Sequence, residues 1–530
     1  MPTSLESADA IVVGAGHNGL VAANLLADAG WDVLVLEAAA GPGGAVRSSA
    51  PAPGFVSDLG SAFYPLGVAS PVLRALTLER YGLRWRHAPD VLAHVFPDGR
   101  AAVLNRDPEQ TAASVAEFAA PDADHWLTLY HQWRQLDDQM LAALFTPFPP
   151  VRPTARLLRR LGLGGALRLA RRMLLPARRL GEELFEGEGA RALLAGCTLH
   201  TDLTLEEPGG GLYGWLLTML GQQYGFPVPE GGAGQLAQAL ARRALDRGVR
   251  LLYGLPVDRI AVARGRALGV RTRGGEWWRA RQAVLADVPA PALYQQLVDP
   301  AQLPGRLVTD LARFRWDAAT VKIDWALSGP VPWINPAAAT AGTVHIGGTV
   351  ADLSRYAAAL ARDEVPFEPF LVVGQLTTAD PTRSPAGTES LWTYTHLPQS
   401  AVTAGAVERH IERIEATLEA YAPGLRALVV DRRISGPEEL EGFNPNLVGG
   451  AIGGGTAALY QQLVFRPVPG LGRADTPVDR LYLASSSAHP GPGVHGGPGA
   501  NAARAALARQ RTVTGSLYRA GVSSAHRLIY

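Results

Sequence analysis

The chain has a single cysteine among 530 residues, Cys197. One thiol excludes an intramolecular disulfide and a CxxC redox pair, and leaves Cys197 as a small core residue. Lysine is equally scarce: Lys322 is the only one, and the other 48 of the 49 basic residues are arginines. No stretch of about 18 apolar residues reads as a membrane span, and no secretory signal precedes the first apolar segment, so the expected location is a reducing cytoplasm. The net charge of +1 gives no general reason to expect a nucleic acid partner. The twelve histidines form no HExxH pair or cluster, which predicts no metal. No GxSxG elbow points to a hydrolase triad. Internal repeats and long low-complexity linkers are also missing. What remains is a composition 47% hydrophobic and 18% charged, enough for a large core divided into two or three domains.

The strongest positive signal is Ile11-Val12-Val13-Gly14-Ala15-Gly16-His17-Asn18-Gly19-Leu20, followed by an apolar helix and then Leu34-Val35-Leu36-Glu37. Gly14 permits a tight turn out of a strand, Gly16 lets backbone approach a pyrophosphate, and Gly19 lets helix and strand pack closely. The pyrophosphate would sit on the free N–H groups at the start of a helix from Leu20 to Ala29, near Ala15 and Asn18, with Gly30 as its stop. Trp31 to Leu36 reads as a second parallel strand. Glu37 at its carboxyl end would accept the ribose hydroxyls and repel a 2′-phosphate. Strand, turn, helix, strand and acid in register predict a Rossmann-like dinucleotide site, open to NAD or FAD.

Beyond Glu37 the chain carries the doublet Gly43-Gly44 and then Gly54-Phe55-Val56-Ser57-Asp58-Leu59-Gly60-Ser61. Here it resembles the phytoene-desaturase-like FAD-dependent oxidoreductases, a family with carotenoid desaturases, isomerases, ketolases and retinol saturase, and more distantly the amine oxidases. The resemblance implies that Gly43 and Gly44 make a second close approach to the FAD diphosphate. The family pattern often has Arg directly after the doublet, whereas this chain has Ala45 and then Arg47 two places on. Arg47 is therefore either a flavin contact or a solvated surface arginine.

Near the far end, Asp479 to Ser485 reads as a short buried strand that runs into His489-Pro490-Gly491-Pro492-Gly493-Val494-His495-Gly496-Gly497-Pro498-Gly499. A second dinucleotide site fails on context, because no strand with an acid follows the helix Ala500 to Gln510. Gly493, Gly496 and Gly499 instead strip side chains from a loop ahead of a helix N-terminus. The resemblance places Gly493 and Val494 at the isoalloxazine edge. In the middle, Pro229-Glu230-Gly231-Gly232-Ala233-Gly234 leads into a helix from Leu236 to Gly248 and a hairpin around Gly265 and Gly274-Gly275. There the residue matching Val257 would meet the adenine through its backbone. The expected fold is α/β: a FAD-binding domain assembled from residues 1–84, 228–292 and 440–511, an inserted α+β substrate domain from 85–227 (mainly helical) and 293–439, and a tail, 512–530.

Residues Val151 to Leu180 hold nine arginines and no acid. Helical projection gathers Leu157, Leu158 and Leu161 opposite Arg156, Arg159 and Arg160. After Gly162 to Gly165, a second short helix sets Leu167, Ala170, Met173 and Leu174 opposite Arg168, Arg171 and Arg172. Such a segment either docks on an anionic membrane surface or packs on the protein. Lys322 draws attention because an amine can lose its proton when buried and a guanidinium cannot. Strand alternation puts it beside Asp324, opposite Val321, Ile323 and Trp325. It is either half of an ion pair on a half-exposed strand or the catalytic residue facing flavin or substrate. His489 and His495 either face the flavin or satisfy backbone, His345 and His396 have no partners at metal-ligand spacing, and Trp277, Trp278 and Trp325 read as core.

The resemblance implies a FAD-dependent oxidoreductase of the desaturase or dehydrogenase type, taking hydride from a hydrophobic, isoprenoid or polyene-like small molecule to flavin N5 and passing electrons to oxygen, a quinone or another acceptor. A redox-neutral isomerase, an amine oxidase and a non-catalytic lipid-binding protein of the same fold stand as alternatives. With one cysteine, the disulfide reductase branch of flavoproteins is excluded. Substrate identity and oligomeric state are not encoded in these motifs.

Overall fold

Two seven-stranded sheets carry the chain, and the computed structural model describes residues 6–530. In the first sheet the strands run in the order Val257–Ala263, Arg266–Thr272, Trp277–Ala286, Glu6–Val13, Val33–Leu36, Arg250–Leu252, with Leu481–Leu483 also pairing with Trp277–Ala286. Its centre is parallel, with Val13 beside Ala286 on one side and Leu36 on the other. Both faces are covered, which is why Ile11, Val12, Leu34 and Val35 are all apolar and buried. Helices His17–Asp28, Gly234–Asp246 and Gly497–Gln510 lie together against it. The fold is α/β.

Local boundaries differ from the sequence expectation for physical reasons. The first helix begins at His17, three residues early, because the Gly14 turn (φ +96°) leaves the backbone helical directly after Gly16. The second strand begins at Val33, since Gly30 and Trp31 still close on the carbonyls of Ala27 and Leu26. The last helix of the first domain begins at Gly497. Gly499 therefore lies inside it, where an added Cβ would come 2.0 Å from the Asn18 carbonyl oxygen: its bareness serves helix packing.

The second sheet runs Val429–Ser435, Ala319–Leu327, Glu389–Leu397, Leu371–Gln375, Ala341–Ile346, Asp90–Val95, Ala101–Leu104. The last two form a hairpin inside a stretch expected to be mainly helical, and it extends the sheet through a parallel pairing with Ala341–Ile346. Helices Asp122–Leu144, Val151–Leu174, Glu188–Thr198 and Gly210–Tyr224 build a cap beside it. Residues 512–530, expected as a tail, form the helix Gly515–Ile529, which docks by the Tyr518 hydroxyl on Asp475 at 2.8 Å.

The arginine-rich segment Val151–Leu174 is two helices that meet at a non-helical Gly162 (φ 62°), where the glycines were expected to divide it. Its leucines divide differently from the projection: Leu157, Leu161 and Leu169 pack inward, while Leu158, Leu163, Leu167 and Leu174 are 47–75% exposed. The turn inserted at Gly162 rotates the second half, so one stripe cannot serve both. Among the described residues no helix is long and apolar enough to cross a membrane.

A shared cavity at the junction of the two sheets

The three fingerprint glycines meet one unexpected side chain. A Cβ on Gly14 would stand 3.0 Å from the Asp287 carbonyl oxygen, and one on Gly16 would stand 2.5 Å from the Asp287 carboxylate. A Cβ on Gly19 would collide with the Gly14 carbonyl oxygen at 2.2 Å, the close helix–strand packing expected of it. Asp287 ends the strand Trp277–Ala286 and accepts the Gly19 N–H at 2.8 Å, taking one of the free donors of the helix start. Burial pushes its carboxyl up to about 7. The sequence signal available was an acid closing a buried parallel strand at the crevice. The Asn18 Oδ1 and His17 Nε2 atoms are buried there without partners, and both residues line the cavity.

Glu37 lies at the carboxyl end of its strand, with its carboxylate held by the N–H groups of Ala15 (2.6 Å) and Ala39 (2.8 Å). The doublet returns to the fingerprint: Gly43 N–H donates to the Ala15 carbonyl at 2.8 Å, and a Cβ on Gly44 would sit 3.2 Å from the Gly16 Cα. Both doublet glycines have positive φ, 128° and 58°. Arg47 is not a solvated surface residue. It is half-buried, donates to the carbonyls of Gly44 (3.0 Å) and Phe443 (2.6 Å), and stacks 4.0 Å over the Phe443 ring. Its donors face backbone, so it acts as a latch on the doublet. Val257 opens its strand, half-buried, two residues after Leu255, whose N–H bonds the Glu37 carbonyl at 2.9 Å.

Gly493 (φ +112°) and Val494 line the cavity opposite the fingerprint. The flanking histidines are taken up by backbone: His495 Nδ1 accepts the Gly497 N–H at 3.0 Å, and His489 Nε2 lies 3.2 Å from the Thr146 carbonyl. Burial pushes His495 down to about 3 and His489 to about 4, leaving both neutral.

One continuous cavity of about 430 Å³ runs from Gly16 and Gly44 to the face of the second sheet. Lys322 lines it. The whole strand Ala319–Leu327 is buried, not half-exposed, because strands flank it on both sides and the first domain covers its polar face. Alternation still holds: Val321, Ile323 and Trp325 enter a cluster with Ile414 and Leu418, while Lys322 pairs with Asp324 on the other face, and Ser57 donates to the same carboxylate oxygen. Register puts Lys322 opposite Tyr394 and Thr320 opposite His396. Trp392 and Tyr394 stack at 5.5 Å and, with His396, continue the same wall.

Three structural polar groups escaped sequence reasoning. Arg383, fully buried, bridges Asp58 (3.1 Å) and Asp380 (3.0 Å), while Asp58 also accepts the Ala233 N–H at 2.7 Å, so one guanidinium ties the connection between two strands of the second sheet to two segments of the first domain. Asp317 accepts the N–H groups of Ile452, Gly453 and Gly455 at 2.7–3.0 Å, and Arg466 holds the carbonyls of the same loop. The helical cap brings His200 to His345, with ring nitrogens 2.8 Å apart across 145 positions of sequence. Among the described residues no group of three or more His, Cys, Asp or Glu is placed to hold a metal.

The cavity fits a flavin dinucleotide. It joins bare glycine backbone, unpaired polar atoms at a helix start and an acid at the ribose position to a mainly apolar space. Comparison with known proteins gives the same class. The chain is 28% identical to pyridine nucleotide-disulfide oxidoreductase domain-containing protein 2 of Rattus norvegicus over 93% of this chain and 92% of that one. It is equally similar, with the same coverage, to a zeta-carotene-forming phytoene desaturase of Myxococcus xanthus. An oxidoreductase structure from Methanosarcina mazei superposes with a TM-score of 0.64 over 94% of this chain and 99% of its own, at 16% identity, which shows the shared fold. Cys197, buried and alone, offers no dithiol for the disulfide chemistry in the first relative's name. Residues 19–505 match the flavin containing amine oxidoreductases, and the chain belongs to that family as a FAD-dependent oxidoreductase.

Proposed function

We propose that the protein dehydrogenates a hydrophobic, isoprenoid or polyene-like molecule. The observation that carries this reading is the cavity continuous with the dinucleotide site, whose walls include Leu66, Leu216, Leu217, Leu220, Phe226 and Val372. Bound FAD supplies the hydride acceptor at N5. The chain's part is to seat the adenosine end on Glu37 and the glycine loops, to exclude bulk water, and to hold the substrate against the wall of Lys322, Trp392 and Tyr394. Lys322, fixed by Asp324, sets its Nζ donors at that wall, able to hold a water. Electrons leave to oxygen, a quinone or another acceptor.

Anaerobic mixing of the FAD-loaded protein with a panel of polyenes, isoprenoid hydrocarbons and amines tests this. Bleaching of the flavin absorbance by a hydrocarbon or polyene, with product two mass units lighter, is expected. Bleaching by amines alone would overturn the reading, and conversion without any demand for an electron acceptor would replace it with isomerisation.

Substrate delivery would come from a membrane surface. The exposed leucines of Val151–Leu174 stand among arginines with no acid in the helix, which suits anionic headgroups over an acyl boundary. Exposed Tyr460, Leu463, Val464 and Phe465 extend the face, since Leu459 abuts Gly209 beside the Leu174 carbonyl and Arg473 reaches Phe148 at the other end of the helix. Flotation with phosphatidylserine vesicles is the expected result. No flotation, or equal flotation of a Leu163→Glu/Leu167→Glu variant, would dispose of it.

A further inference from the structure

The part of the cavity built by the cap and the second sheet carries polar groups that dehydrogenation does not use. His200 follows the helix Glu188–Thr198, and its Nε2 meets His345 Nε2 at 2.8 Å. His345 is fixed in turn. It lies fully buried on the strand Ala341–Ile346, against Gly196, where a Cβ would come 2.4 Å from its Nδ1. His94 packs edge-on behind it at 6.2 Å, tied to the Gly348 carbonyl at 2.8 Å. With Nε2 committed to His345, the other ring nitrogen of His200 has no partner among the described residues, and the residue lines the cavity. Asp202, held by the Ala457 N–H at 2.8 Å, and His396 line the same region. The Nδ1 atoms of His94 and His345 are buried without partners behind the wall, while at the cavity His200 keeps one free ring nitrogen, donor or acceptor according to tautomer, with the His396 Nε2 also unpaired.

The charge state of the cluster selects its ligand. Burial pushes His94, His200 and His396 down to about 4 and His345 well below its ordinary value, so all four are neutral near pH 7. Burial and the nearby Asp317 raise the Asp202 carboxyl. No cation is present among these groups to pair with a carboxylate, and Asp202 disfavours one. The free nitrogen of a neutral imidazole donates in one tautomer and accepts in the other, and among neutral oxygen groups a hydroxyl can meet either.

We propose that His200, positioned by His345, binds a hydroxyl group on an otherwise apolar substrate. This rests on the reading of the cavity as an apolar-substrate site and names the substrate as an alcohol. Titration of the FAD-loaded protein with farnesane, farnesol and farnesylamine, followed by the flavin absorbance shift, tests it. Farnesol should bind at least about tenfold tighter than farnesane. His200→Leu should bring the two within about twofold, with FAD content and thermal midpoint as folding controls. His200→Gln, which keeps donor and acceptor, should retain part of the preference, and His345→Leu should lose part of it. Equal binding of farnesol and farnesane to the unaltered protein, tightest binding of the amine, or an undiminished preference in His200→Leu would overturn the proposal. Failure of all three probes to shift the flavin would overturn the apolar-substrate reading along with it, whereas farnesane binding without an alcohol preference would overturn this inference alone.

Discussion

The two ends of the cavity are built in opposite ways. At the dinucleotide end, much of the work is done by backbone close in sequence: Glu37 is gripped by the N–H groups of Ala15 and Ala39, and Gly43 returns to Ala15. At the substrate end the decisive contacts join distant segments. Lys322 and Asp324 meet Ser57, and His200 meets His345. Backbone recognition suits a ligand whose phosphates are the same in every flavoprotein. Side chains carried on separate elements suit a ligand that differs between relatives, because each can change without disturbing the rest.

The sharpest way to break the first end is Gly16→Val. Its Cβ would meet the Asp287 carboxylate at 2.5 Å, and we expect protein without bound flavin, read from the ratio of flavin to protein absorbance. Next in size is the joint between the ends. Arg383→Met leaves Asp58 and Asp380 facing each other unpaired, and should cost about 3–5 kcal/mol in the denaturant midpoint. Asp287 sharpens the comparison through pH. Its carboxyl titrates at about 7 when folded against an ordinary value of 3.8, so the folded state holds the extra proton between those values. Its contribution is full below about pH 4 and declines as the pH rises to 7. Between pH 5 and 8 the unaltered protein should therefore lose about 2–3 kcal/mol more stability than Asp287→Asn. The smallest effect belongs to the substrate end: Lys322→Arg should keep its FAD and slow flavin reduction by at least about tenfold, roughly 1.4 kcal/mol. An unchanged rate would return Lys322 to the role of a structural partner for Asp324.

The same contrast explains what was legible beforehand. Gly14 to Glu37 could be read because turn, helix and strand leave periodic and positional marks within thirty residues. Arg383 could not, since its partners lie in other segments and a lone arginine in sequence carries no address, and Asp287 was marked only by its place at the close of a buried strand. The Leu158 assignment failed in a related way: the stripe through Leu157 and Leu161 was visible, but which leucines a neighbour would cover on either side of the turn at Gly162 is a tertiary fact. Lys322 was marked by scarcity and its pairing by alternation, whereas its full burial depended on strands some seventy and one hundred and ten residues away.

The Gly14 turn and the Gly493 loop enclose one cavity although about 480 residues separate them. At roughly 5–20 residues per second, the first leaves the ribosome about 25–100 s before the second. The cofactor pocket therefore closes only after the Gly493 loop has emerged. Flavin loading waits on that loop, and a nascent chain halted ahead of it would hold the fingerprint without the wall that completes it.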